Sequence, residues 1–135
     1  ASPSATAARC ADSDISVTVA PASTSLSVGE GTSLTMTVTN GGDAACSRDV
    51  GPGANEIQVT SGSVLVWSSD FCNPSDKERQ EVLQPGGDFT TSVTWPGTIT
   101  QQSCPSDQPL AQPGTYRTIA RNGSIESEPV TFTIQ

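Results

Sequence analysis

From Asp14 onward, apolar and polar side chains alternate along most of the chain, the period-two signature of strands with one buried face. Ile15, Val17 and Val19 form the first run, Leu34, Met36 and Val38 the second, and Ile57 with Val59 the third. Clusters of Gly, Pro, Asn and Ser separate them and predict turns. Val64 to Trp67 is continuously apolar after Ser61, Gly62 and Ser63, which predicts the return strand of a hairpin buried on both sides. A short strand over Glu81 to Leu83 leads into the tight turn Gln84, Pro85, Gly86, Gly87, and Phe89, Val93 and Trp95 carry the next run. Tyr116, Thr118 and Ala120 alternate with Arg117, Ile119 and Arg121 before Asn122 and Gly123, a pair suited to a type I′ turn, and Val130, Phe132 and Ile134 close the pattern. The only helix candidate, Ser75 to Val82, is long enough for a loop decoration at most.

These runs predict an all-β, immunoglobulin-like antiparallel sandwich of roughly eight strands. The length of 135 residues suits one domain, divided into a flexible tether over 1–9 and a disulfide-stapled sandwich over 10–135. Hydrophobic residues make up 33% of the chain and charged residues 15%, so its polarity comes from Ser, Thr, Gly and Gln. That mixture favours short strands and many turns.

Fourteen acidic against six basic residues give a formal charge of −8, and the basic residues are scattered, which argues against nucleic acid as a partner. No apolar run is long enough to span a bilayer, and the first residues lack the charged start and apolar stretch of a signal peptide.

Cys10, Cys46, Cys72 and Cys104 are widely spaced, without the close pairs of a zinc site and without a histidine in the chain. An even count in a turn-rich domain predicts two disulfides and an oxidising, extracytoplasmic location, secreted or tethered to the outer face of a cell membrane. Strands of alternating direction would bring all four cysteines to one pole of the sandwich, where three pairings are possible. Cys10 with Cys46 is favoured, because the first two long strands should be antiparallel neighbours; Cys72 with Cys104 then remains. Each bridge closes a loop worth about 4 kcal/mol in the chain-entropy account.

Val38, Thr39 and Asn40, then Val66 and Trp67, then Leu83 through Gly87, Trp95, and Pro113 through Tyr116 form an ordered series. It resembles the BsuPI-like domain, named for a bacterial intracellular proteinase inhibitor, and more loosely the CARDB-like adhesion modules. The resemblance spans Ser33 to Arg121 and implies an immunoglobulin-like fold with an inhibitory or adhesive role. The four cysteines depart from an intracellular inhibitor. With Ser68, Ser69 and Asp70 after Trp67, they make the chain more similar to exported domains of actinobacterial envelopes.

The absence of histidine removes the commonest general base and the usual hydrolase triads, and no Ser lies in a GxSxG or SxxK arrangement. The expectation is therefore a non-enzyme without a cofactor. Asp12 with Asp14, and Asp70, Asp76 and Glu78 in one loop, are the carboxylates a hard cation would use, but a full DxDxDG ligand loop is missing and no metal site is expected. Asn122, Gly123 and Ser124 form a glycosylation sequon that a hairpin turn already explains.

Trp67 and Trp95 sit in alternating runs and are expected in the core, whereas Phe71 lies in a polar loop. Residues 69–80 and 96–112 are the longest connections. Asp70, Phe71, Lys77, Glu78 and Arg79 are accordingly the candidate contacts of a monomeric binding or scaffolding module of the bacterial envelope, meeting a protein or cell-wall partner at the cysteine-rich pole. A proteinase-inhibitor-like domain and a structural spacer are the alternatives.

Overall fold

The computed structural model describes residues 8–72, 74–100 and 103–135 of the chain. Eleven strands occur among them: β1 (Ile15–Pro21), β2 (Ser25–Leu26), β3 (Thr32–Asn40), β4 (Cys46–Asp49), β5 (Asn55–Ser61), β6 (Val64–Ser68), β7 (Gln80–Leu83), β8 (Asp88–Trp95), β9 (Gly114–Asn122), β10 (Ile125–Glu126) and β11 (Val130–Ile134). A single turn of helix, α1 (Ser69–Cys72), follows β6. The chain is an all-β sandwich. One sheet has the order β1-β3-β8, the other β2-β11-β9-β5-β6 with β10 beside β9, and β4 and β7 form a separate two-stranded ribbon.

β3 shows why alternation specifies this arrangement. Leu34, Met36 and Val38 point inward and are at most 1% exposed. Ser33, Thr35, Thr37 and Thr39 point outward, and two of their hydroxyls pair laterally with β8, Thr35 with Ser92 at 2.7 Å and Thr37 with Thr90 at 3.3 Å. β-branched Thr thus serves the outer face twice, by backbone preference and by cross-strand hydrogen bonding.

Trp95, Tyr116 and Phe132 meet across the sheets with ring centroids 5.5 to 6.0 Å apart. Their polar tips are satisfied at one end of the sandwich, where the Trp95 indole donates to the Thr98 carbonyl and the Tyr116 hydroxyl to the Gln112 carbonyl.

Two fully buried asparagines organise the opposite end. Asn40 donates to the carbonyls of Ala44 and Leu83 and accepts from the Gly42 amide. Asn122 donates to the Asp49 carbonyl and to Asn55 Oδ1, and accepts from Arg48 Nε at 2.6 Å. Arg48 continues outward to Asp12, which also accepts from Ser124, so that Arg48 first and Ser124 after it hold the Asp12 carboxyl below the ordinary carboxylate range.

Four expectations from the sequence are corrected. Three short strands, β2, β4 and β10, join the eight expected ones, because β2 and β10 are too short and β4, Cys-Ser-Arg-Asp, too polar to show an apolar period. Val64 and Leu65 are exposed, at 62% and 39%, since they form the tip of the β5–β6 hairpin beyond the reach of the other sheet; only Val66 and Trp67 are buried. No helix forms over 75–82: Gln80–Leu83 pairs with β4, and tertiary pairing overrides the helical preference of Lys, Glu, Arg and Gln. Asn122 belongs to β9 rather than to the turn. The two-residue loop is Gly123 and Ser124, with glycine first at φ 59°, and the buried Asn122 amide is closed to modification in the folded chain.

Because Asn122 satisfies groups on Arg48, Asp49 and Asn55 at once, Asn122→Ala is expected to lower stability by about 3 kcal/mol. The check is the urea midpoint at unchanged m-value; a loss below about 1 kcal/mol would mean that water replaces the amide.

Candidate binding cleft between the sheets

The sandwich is sealed on one side and open on the other. At the sealed side β1 packs against β9, β10 and β11, and Ile15, Val17 and Val19 are each 6% exposed. At the open side β8 faces β5 and β6 across a cleft of about 600 Å³. Its floor is apolar, built from Met36, Ile57, Trp67, Phe89 and Val93. The inward-facing Phe89, Thr91 and Val93 of β8 are half-buried, in contrast to the sealed positions beside them on β3.

The rim is polar. Glu56, 9% exposed, accepts from Ser68 Oγ and Gln58 Nε2 and pairs with Arg121. Asp70 is placed by the start of α1, where Ser68 Oγ accepts its backbone amide and Ser69 Oγ accepts the Ile57 amide. Its carboxylate has no ion-pair partner among the described residues. Burial, and after it the charge of Glu56, raise the Asp70 pKa, and Arg121 only partly offsets them.

A strap closes the end of the cleft towards the ribbon. Asp49 Oδ1 accepts from the amides of Gly51 and Arg79, the Val50 amide donates to the Arg79 carbonyl, and the Gly53 amide donates to the Lys77 carbonyl. Gly51 is required by close approach, since a Cβ there would lie 2.6 Å from the Arg79 nitrogen and the Lys77 oxygen. The Arg79 guanidinium lies 5.2 Å from the Phe89 ring centroid and pairs with Glu81 at 2.8 Å.

Of the contact residues expected from sequence, Asp70 and Arg79 line this cleft. Lys77 and Glu78 are exposed beyond the strap, and Phe71 is half-buried rather than presented to solvent. Phe89, Val93, Glu56 and Arg121 escaped sequence reasoning, because alternation shows which side chains face inward but not whether anything faces them. The one signal was Thr91, a polar residue in inward register between Phe89 and Val93.

The disulfides are Cys10–Cys46 and Cys72–Cys104. The first is buried at the start of β4, where the Ser47 amide donates to the Ala8 carbonyl and the Cys10 amide to the Ser47 carbonyl. The second ties α1 to the 96–112 segment, which returns along β6 with the Thr100 amide donating to the Val66 carbonyl. This places it at the flank of β6. Gln108 organises that segment, accepting from Thr98 and Thr100 and donating to the Pro105 carbonyl and towards both sulfurs at 3.6 Å. Cys104 is the one non-glycine among the described residues at positive φ, 50°.

Neither a protein-family profile nor a curated protein sequence matches the chain. Solved structures do share its fold. A β-glucosidase from Erythrobacter marinus superposes with a TM-score of 0.54 at 10% identity, over 90% of this chain and 15% of its own. A β-glucosidase from Listeria innocua in complex with laminaribiose gives 0.51 at 13% identity, over 90% and 16%. An alkylpurine DNA glycosylase from Pseudomonas fluorescens bound to DNA gives 0.54 at 9% identity, over 90% and 30%. The chain therefore spans a small part of each neighbour, and at these identities the likeness is one of fold alone.

Since the folded-state pKa of Asp70 lies above its unfolded value, its ionisation opposes folding. The cost is absent below the ordinary pKa of 3.8 and grows as the pH rises through and above it. Asp70→Asn is thus expected to stabilise the chain at neutral pH, with the difference vanishing near pH 3, as read from urea midpoints across that range. Cys72 is exposed and Cys104 half-buried, whereas Cys10 and Cys46 are each 8% exposed. Dithiothreitol under native conditions is expected to open Cys72–Cys104 first, so alkylation and peptide mass mapping should label Cys72 and Cys104 well before the other pair.

Proposed function

We propose that the chain is a non-catalytic binding module of an extracytoplasmic protein, and that it holds its partner in the cleft between β6 and β8. One observation carries this: Phe89, Thr91 and Val93, inward side chains of β8, are left half-covered over an apolar floor, while their counterparts on β1 and β3 are sealed. Apolar floors with a few placed polar groups are the usual form of binding sites. Two disulfides support the oxidising compartment.

Catalysis is disfavoured by the state of the carboxylates. Glu56 is bonded on both oxygens by Ser68, Gln58 and Arg121, so its oxygens are engaged within the fold, and Asp70 alone lacks a partner group to complete acid and base roles. The small share of each neighbour's chain that this fold occupies favours the spacer as the second reading.

The test uses the oxidised, biotinylated domain as bait in detergent-solubilised bacterial envelope, beside Thr91→Trp, which fills the cleft from β8. Retention of a specific partner should fall at least tenfold with Thr91→Trp at unchanged circular dichroism. Equal retention would move the contact off the cleft, and no retention by either form would favour the spacer.

A further inference from the structure

Resting on that binding role, we infer that the cleft takes an extended peptide which adds as a strand to the free edge of β8 and places a Lys or Arg side chain beside Asp70. Three independent features meet here.

The edge itself is the first. β8 pairs only with β3, in continuous register from Asp88 to Trp95, and no further backbone hydrogen bond among the described residues reaches it. Phe89 to Trp95 holds no charge, proline or bulge, the devices by which exposed edges are normally blunted. The other edges differ. β1 ends in Pro21 over a sealed interior, and β6 already receives the Thr100 amide at Val66.

The second feature is the floor. Phe89, Thr91 and Val93 alternate into the cleft and face Ile57 and Trp67. A strand added to β8 would point every second side chain at the same floor, so main-chain bonds supply attachment and the cleft supplies selection.

Charge is the third. Glu56 is neutralised by Arg121 and Arg79 is paired with Glu81, which leaves Asp70 as the unpaired charge of the cleft. A basic side chain matches it, and a chain of formal charge −8 draws basic segments while repelling a second copy of itself.

The probe is a phage-displayed library of random dodecapeptides panned on the oxidised domain, with enriched sequences synthesised and titrated into isotopically labelled protein. Enriched peptides should carry Lys or Arg two residues from an apolar position. They should slow hydrogen exchange of the β8 amides that do not face β3. They should also lose at least tenfold in affinity on Asp70→Asn, a loss that disappears when the basic residue is replaced by norleucine. Thr91→Trp should block them, with circular dichroism confirming its fold. The inference falls if panning yields no cleft-dependent peptide, if bound peptides leave β8 exchange unchanged, if Asp70→Asn is without effect, or if sedimentation shows β8 occupied by a second copy. An envelope partner that needs the cleft but leaves β8 exchange unaltered would overturn strand addition while keeping the binding role.

Discussion

A three-stranded sheet cannot cover a wider one on both sides, and most of what is distinctive here follows from where the shortfall was placed. β1 lies against β9, β10 and β11, so the rows of small β-branched residues on β1 meet a complete opposing wall. The deficit falls between β8 and β6. Burial of apolar area is worth roughly 25 cal/mol per Å², so leaving Phe89 and Val93 half-covered forgoes stability that a further strand or a bulkier strap would supply. The chain compensates at the ends and along the flank instead of filling the gap.

Those compensations are polar and covalent. Asn40 and Asn122 close one end by satisfying groups on β4, β5, β7 and the β3–β4 connection, which fixes the ribbon relative to both sheets. Such buried amides stabilise only when every bond is made, and here both are well provided. On the flank, Cys72–Cys104 and Gln108 hold α1 and the returning segment beside β6. The β6 flank of the cleft is thereby tied by a disulfide and by Gln108, and its end by the strap.

The sheet interiors were legible in the sequence because one sealed face imposes a period of two: Leu34, Met36 and Val38, or Tyr116, Thr118 and Ala120, admit no other register. The Cys10–Cys46 bridge was legible because antiparallel neighbours bring the start of one strand to the end of the other, and Cys72–Cys104 then remained. What alternation does not encode is the partner across the interior. Val64 and Leu65 are as apolar as Val66 and Trp67, and only the reach of the opposite sheet separates exposed from buried. Asn122 likewise looks like a turn residue, because its role depends on Arg48, Asp49 and Asn55, far away in sequence. The cleft shared both difficulties, being formed by Glu56, Trp67, Asp70 and Phe89 from elements joined only through the fold.

On the proposed reading, Asp70 is what distinguishes the open side from an unfinished core. An ordinary edge would present a solvated carboxylate, or an apolar residue extending the floor from Trp67. Here a carboxylate is partly buried beside another anion, an arrangement that raises its pKa and opposes folding. Arg121 is directed to Glu56, and Arg79 lies over Phe89, so the nearby cations are engaged by other groups and Arg121 compensates this one only in part. Under the peptide-binding proposal, this group, held at a cost to the folded state at the mouth of an apolar cleft and next to an unprotected strand edge, is the recognition element, and its compensation arrives with the partner.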